Sequence, residues 1–183
     1  MKKNLGAKTW LYPMPVLIVG TYNEDGTANA MNAAWGGIAE ENLISICIDD
    51  SHKTYENLVL NKAFTVGVAD SETVVACDYV GVVTGNKVKD KFAKAGFSAT
   101  PSQFVNAPII DQLKMTLECK VIKIDECTVV GEIVNVCADE SILTNDKVDL
   151  NKFTPITYDP VNHNYIALGK VVGKAFSDGL KLK

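Results

Sequence analysis

The chain has 183 residues, 47% of them hydrophobic and 22% charged, a formal net charge of −4 and five cysteines. That length suits one well-buried domain, the composition excludes disordered and fibrous classes, and no apolar run approaches the roughly 20 residues of a membrane-spanning helix. An acidic chain without a lysine-dense segment has no stripe with which to neutralise nucleic-acid phosphates.

The first nine residues, Met1 to Thr9, carry positive charge with no apolar stretch behind it, so they do not read as a secretory signal, and a cytoplasmic chain is expected. Cys47, Cys77, Cys119, Cys127 and Cys137 are odd in number, include no Cys-x-x-Cys, and stand mostly in apolar or alternating runs. They read as reduced thiols. His52 and His163 lie far from one another and from any cysteine pair, so no metal site is expected.

Val16 to Thr21 is apolar and β-branched, Asn23 to Gly26 is turn chemistry, and Ala28 to Trp35 returns, which predicts a β-hairpin. The return arm is unusual. Asn29, Asn32, Ala33 and Ala34 supply little apolar bulk and two amides that need partners, so something can approach this backbone and be hydrogen-bonded there.

A strand is expected over Asn42 to Ile48, then a helix capped by Ser51 with Tyr55, Leu58 and Val59 on one face, ending at Asn61-Lys62. Ala63 to Ala69 alternates as a strand, with Phe64, Val66 and Val68 on one face. A short helix capped by Ser71 should reach Tyr79, and two more are expected near Asp90 to Ala95 and Pro101 to Val105. Met115 to Ile124 and Thr128 to Ala138 form a second hairpin. Phe153 to Tyr158 and Tyr165 to Leu168 are expected to close the sheet, before a glycine-punctuated tail from Gly169 to Gly179. Recurring hairpins favour an antiparallel sheet or barrel with peripheral helices over a doubly wound sheet.

No Gly-x-Gly-x-x-Gly, P-loop, Gly-x-Ser-x-Gly or His-Glu-x-x-His motif is present. Gly81 and Gly85 are four apart without the lysine a P-loop needs. What remains is Ser51-His52-Lys53-Thr54 at a helix start, where backbone N–H groups, the macrodipole, two hydroxyls and a lysine suit a phosphate monoester. Lys91 is a second candidate cation, and Trp35 and Tyr165 could pack in the core or line a planar ligand. His163, in the loop Asp159 to Asn164, reads as an exposed turn residue.

Pro13-x-Pro-Val-x-Ile-Val-Gly-Thr21, Gly26-x-x-Asn29, Ala33-Ala-Trp35, Ser51-x-x-Thr54, Asp90-Lys-Phe92, Ala107-Pro-Ile109, Leu117-Glu-Cys-Lys-Val121, Val130-Gly-Glu-Ile133 and Tyr165-x-x-Leu-Gly169 follow one another in this order. In them the chain resembles the flavin-reductase-like, FMN-binding split-barrel family, especially its flavoredoxin branch. The resemblance implies a six-stranded antiparallel Greek-key barrel and a homodimer with FMN near the subunit interface. It also implies flavin contacts from Asn29, Asn32, Ala33, Ala34, Trp35 and Tyr165, and a phosphate site at Ser51, His52, Lys53 and Thr54 with Lys91 nearby. Where many relatives carry a histidine close to the flavin, Glu126-Cys127-Thr128 stands here. The implied function is an FMN-dependent oxidoreductase, taking electrons from NADH, NADPH or a protein. The alternative is a binding module without turnover. Because a flavin brings its own redox chemistry, the lack of a visible acid–base constellation does not count against an enzyme.

Overall fold

The computed structural model describes residues 1–182. Its main sheet has seven antiparallel strands: β1 (Leu17–Tyr22), β2 (Ala28–Ala33), β3 (Gly36–Glu40), β4 (Leu43–Cys47), β5 (Ala63–Val68), β6 (Met115–Asp125) and β7 (Thr128–Ala138). They lie in the order β2-β1-β5-β6-β7-β4-β3, a curled half-barrel with β2 and β3 at its edges. Helix α1 (Lys53–Asn61) joins β4 to β5, while α2 (Val74–Val82) and α3 (Lys91–Lys94) lie between β5 and β6.

β1 is apolar on both faces because both are covered. Leu17 and Val19 pack with Ile44, Ile46, Leu58, Phe64 and Val66 in one core cluster. Ile18, between them, packs with Ala30, Cys77, Val80 and Phe92 in the other. The alternation in β5 works the same way, sending Phe64 and Val66 into the first cluster. The turn between β1 and β2 closes on Gly26, whose φ of 81° favours a residue without Cβ.

Several expectations are corrected. Ser51 does not cap α1: the Asp49 carboxylate takes its N–H (3.0 Å) and Oγ (2.5 Å), and His52 becomes the cap residue, with no side-chain cap bond. Ser71 is likewise displaced by Asp70, whose Oδ1 accepts from the N–H groups of Glu72 and Thr73, so that α2 begins at Val74 and runs on to Val82. In both cases an aspartate two or three residues upstream wins the turn, because an ionised acceptor bonds N–H groups more strongly than a hydroxyl. No helix forms over Pro101 to Val105; Ala99–Pro101 instead pairs with Pro108–Ile110. β8 (Ile156–Asp159) and β9 (Asn164–Ala167) do not close the main sheet but form a separate one with Met14–Pro15. β3 went unread because Gly36-Gly37 lacks strand character. The tail after β9 carries only a 3-10 turn at Asp178–Leu182. The sheet thus has seven strands rather than six, and the mainly β, split-barrel class stands.

Gly131 sits at a register shift between β6 and β7, where a Cβ would lie 2.5 Å from Cζ of the fully buried Phe64. Gly131→Ala is therefore expected to destabilise the fold by about 1–3 kcal/mol through overpacking. Urea unfolding measures this, and a loss under about 0.5 kcal/mol would mean the ring has room to move.

Candidate functional site

The site is organised by the edge strand β2. Its side chains alternate, so Asn29, Met31 and Ala33 face the side of α1, whereas Ala30 and Asn32 face α2. On the first face, Asn29 Nδ2 donates to Thr54 Oγ1 (3.0 Å) and Thr21 Oγ1 (3.4 Å). On the second, Asn32 Nδ2 donates to the Cys77 carbonyl (3.1 Å) and the Tyr165 hydroxyl (3.3 Å). Each amide is thereby held by one helix, and the free edge of β2 lies between the two. Every second residue there turns its N–H and C=O away from β1.

The loop after α2 crosses that edge. Gly85 approaches so closely that a Cβ would stand 2.9 Å from Asn29 Oδ1 and 3.3 Å from Lys53 Cβ, and a Cβ on Gly81 would stand 2.9 Å from Asn32 Cβ. Asn86 Nδ2 ties the loop to the Ser51 carbonyl at 2.9 Å. Lys91, only 4% exposed, donates to the Val80 and Val83 carbonyls at 3.1 and 2.9 Å. An ammonium has three donors, so one remains. Burial lowers its pKa to about 8, and the group is still mainly charged at neutral pH.

Three hollows follow one another along this path. At the turn end, a pocket of about 390 Å³ is lined by Asn23, Asp25, Lys53, Gly85, Asn86 and Lys89 among others. It shares Lys53 and Gly85 with a narrow pocket of about 120 Å³ between His52, Lys53, Thr54, Met31, Val83 and Lys91. Gly81 connects that one to a third, of about 310 Å³, lined by Asn32, Ala34, Asp78, Tyr158, His163 and Tyr165. Cations gather at one end and aromatic rings at the other. In the aromatic pocket the Tyr165 hydroxyl donates to Asp78 (2.7 Å), and Tyr158 pairs with His163 Nδ1 (2.7 Å). Burial first, and then the Asp78 hydrogen bond, raise the Tyr165 pKa, so it stays a phenol that donates.

At the cationic end, the N–H groups of Lys53 and Thr54 lie in the first turn of α1, where no residue four positions back can accept from them. Thr54 is 2% exposed; its oxygen accepts from Asn29, which leaves its O–H proton to give. Lys53 Nζ pairs with Glu56 at 2.7 Å.

Of the residues singled out in the sequence, the structure brings Asn29, His52, Lys53, Thr54 and Lys91 to the cationic end, and Asn32, Ala34 and Tyr165 to the aromatic end. Ser51 is engaged with Asp49 and stands outside these linings. Ala33 is 5% exposed and packs into the core, so it offers the groove only backbone, and Trp35, 56% exposed, lies beyond the pocket's end. Sequence reasoning missed Asp78, Tyr158 and the use made of Gly81 and Gly85. The glycine spacing was visible; that it lets a loop press against two asparagines was not.

Tyr165→Phe removes a donor to Asp78 and an acceptor for Asn32. The expected cost, without any ligand, is about 0.5–1.5 kcal/mol in denaturant unfolding, and no cost at all would show that water replaces both bonds fully.

The model of the Flavin reductase like domain family matches residues 9–161. A flavoredoxin of Desulfovibrio vulgaris (Miyazaki F) is 38% identical and superposes over 98% of this chain and 100% of that one, with a TM-score of 0.93. A flavoredoxin from Methanosarcina acetivorans is 30% identical, over 100% of this chain and 98% of that one, with a TM-score of 0.88. Among curated sequences, an uncharacterized protein of Aquifex aeolicus (strain VF5) is 27% identical over 79% of this chain and 79% of its own. With the family match extending from before β1 to beyond β8, the chain belongs to the flavin reductase like domain family.

Proposed function

We propose that residues 1–183 act as one flavin-reductase-like domain, a cytoplasmic FMN-binding oxidoreductase that moves electrons from NADH, NADPH or a redox protein to an acceptor. The observation that carries this is the groove along β2, which joins a cationic helix start to an aromatic pocket. From Asn29 to Ala34 the strand covers about 16 Å, enough for a mononucleotide whose phosphate and planar head lie at opposite ends. The residues present fit such a group, since Gly81 and Gly85 add no side chain to the hollows they line.

When bound, FMN supplies the redox chemistry. The chain's own residues do the rest. The N–H groups of Lys53 and Thr54, the Thr54 hydroxyl, the spare donor of Lys91 and the Lys53 ammonium receive the phosphate, with His52 beside them. Asn29 acts through Thr54, whose hydroxyl it orients. The free edge of β2 and Ala34 hold the ring's polar rim, Asn32 and Tyr165 close its far side, and Ser51 shapes the entry to α1 through Asp49. Trp35 is reserved for the subunit contact: 56% exposed and large, it is an apolar side chain that a homodimer would cover.

An absorbance spectrum of the purified protein, followed by anaerobic NADH or NADPH, tests this reading. A flavin band that bleaches supports a nicotinamide-linked enzyme, bleaching only by a reduced redox protein supports a carrier, and a protein that takes up no flavin overturns the proposal.

Thr54→Ala and Lys53→Ala should each weaken FMN binding, by about ten- to a hundredfold for a lost charge-assisted bond, with Lys53 at the low end because Glu56 already shares its charge. Riboflavin has no phosphate, and its affinity should hardly change. Equal losses for the two ligands in titration would move the phosphate elsewhere.

FMN affinity should also fall as pH rises. Lys91 is an ammonium below its pKa of about 8 and a neutral amine above it, so its attraction for a phosphate is present at neutral pH and lost in alkali. A bound phosphate holds the proton, which moves the loss somewhat above pH 8. A decline of about tenfold is expected for FMN, with a flat profile for riboflavin and for FMN on Lys91→Met. A decline retained in Lys91→Met would assign it to another group.

A further inference from the structure

After β9 the chain leaves the body. Of residues 166–182, all but Ser177 are exposed, and the large apolar side chains Val171, Val172, Phe176 and Leu182 stand 83%, 94%, 103% and 94% exposed. Among the described residues, the hydrogen bonds of 169–182 stay within the segment: the Asp178 carboxylate accepts from the Lys174 N–H (2.7 Å) and from Lys181 Nζ (2.8 Å), and Ser177 N–H donates to the Lys174 carbonyl (3.3 Å). Among the described residues it is an exposed arm with local hydrogen bonds of its own.

Its charge runs against that of the body. By sequence the segment from residue 169 on has four lysines, Lys170, Lys174, Lys181 and Lys183, against one acid, Asp178, a net +3, whereas residues 13–168 hold eleven lysines against twenty-one Asp and Glu, a net −10. Fully exposed aliphatic and aromatic side chains in sequence on a basic strap are the features of a segment that is covered in the working molecule. The complementary surface, acidic and present in equal number, is the body of the same chain.

We propose that this arm packs on the body of a second copy, each copy giving an arm and receiving one. Reciprocal exchange closes on a two-fold axis and leaves neither a free arm nor a free receiving surface. The apolar side chains supply the contact, and the lysines meet the acidic body and fix orientation. The inference rests on the homodimer proposed above and adds to it the segment that holds the dimer together. The arm starts four residues after Tyr165, so docking it also fixes the strand that carries the aromatic end of the groove.

The test uses the full chain. Sedimentation compares it with a variant carrying Val171→Ser, Val172→Ser, Phe176→Ser and Leu182→Ser, all exposed positions, with circular dichroism to check that the variant keeps the sheet. Light and ¹⁵N-labelled full chains, dissociated by dilution, mixed and reconcentrated, are treated with a lysine cross-linker and read by mass spectrometry. The proposal expects a dimer for the full chain, dimerisation weakened on the order of a hundredfold or more in the variant, and mixed-isotope links from Lys170, Lys174 or Lys181 to lysines of the body. A variant that dimerises as tightly as the full chain overturns the arm's role and leaves the dimer standing. Arm links confined to same-isotope pairs, while body-to-body links are mixed, place the arm on its own subunit and overturn the exchange. A full chain that remains monomeric overturns the homodimer reading itself.

Discussion

The position of everything in the groove depends on a buried network of amides and hydroxyls between α1 and the β1–β2 hairpin. Thr21 Oγ1 accepts from Asn57 (3.0 Å) and Asn29 (3.4 Å), Asn57 also donates to Asn23 (2.9 Å), and Asn29 donates to Thr54 (3.0 Å). Thr21, Asn29, Thr54 and Asn57 are each 3% exposed or less. Apolar packing alone would let a nine-residue helix slide or turn against a sheet at modest cost. Buried polar groups do not allow that, because any shift leaves one of them without a partner. The network therefore selects a single placement of α1, and with it the point at which its first turn meets the edge of β2.

Lys91 performs the corresponding task for the other helix. Its ammonium is kept charged in a buried place by the Val80 and Val83 carbonyls at the end of α2, which are otherwise without intrahelical donors. The same contacts hold the loop that brings Gly85 against Asn29 and Lys53. One cation thus closes the C-terminal end of α2 with two of its N–H groups and, with the third to spare, lines the same pocket as the first turn of α1.

What could be read in the sequence was what local pattern controls. Clean alternation in Ala63 to Ala69 and the long runs on either side of Asp125-Glu126-Cys127 are properties of single strands, and they were found with their bounds nearly right. The weakness of the Ala28 to Ala34 arm as a core strand was legible too, and in the structure its two amides donate to α1, α2 and their neighbours. Capping was misread because Ser51 and Ser71 were judged alone, and the outcome depends on competition with Asp49 and Asp70. β3 was hidden because Gly36-Gly37 carries no strand pattern even though its partner Ile46 is on the next strand, and the separate sheet of β8 and β9 was hidden because Pro15 pairs with Thr157, far along the chain. Asp78 was hidden for a related reason, since an α2 residue meets Tyr165 of β9 only across 87 positions, whereas Tyr158 faces Tyr165 through the register of the short β8–β9 hairpin, which the sequence reading did not pair.

The two ends of the main sheet are protected by different means. β3 is blunted by its own chain, with a register shift between Ile38 and Glu40 and a carboxylate at its end. β2 has no charge, no proline and no bulge in Ala28–Ala33; only the helices and the loop that crosses it stand over its open backbone. Natural sheets usually guard an edge of that kind with charge or kinks, since a bare edge is a template for another strand. Here any guard inside the strand would also block the groove. Colloidal stability is consequently entrusted to α2 and its loop, and a molecule in which they have come loose offers a neutral, small-residue strand to its neighbours. The small, uncharged residues that leave room along this edge are the same ones that would let a neighbouring strand pair with it.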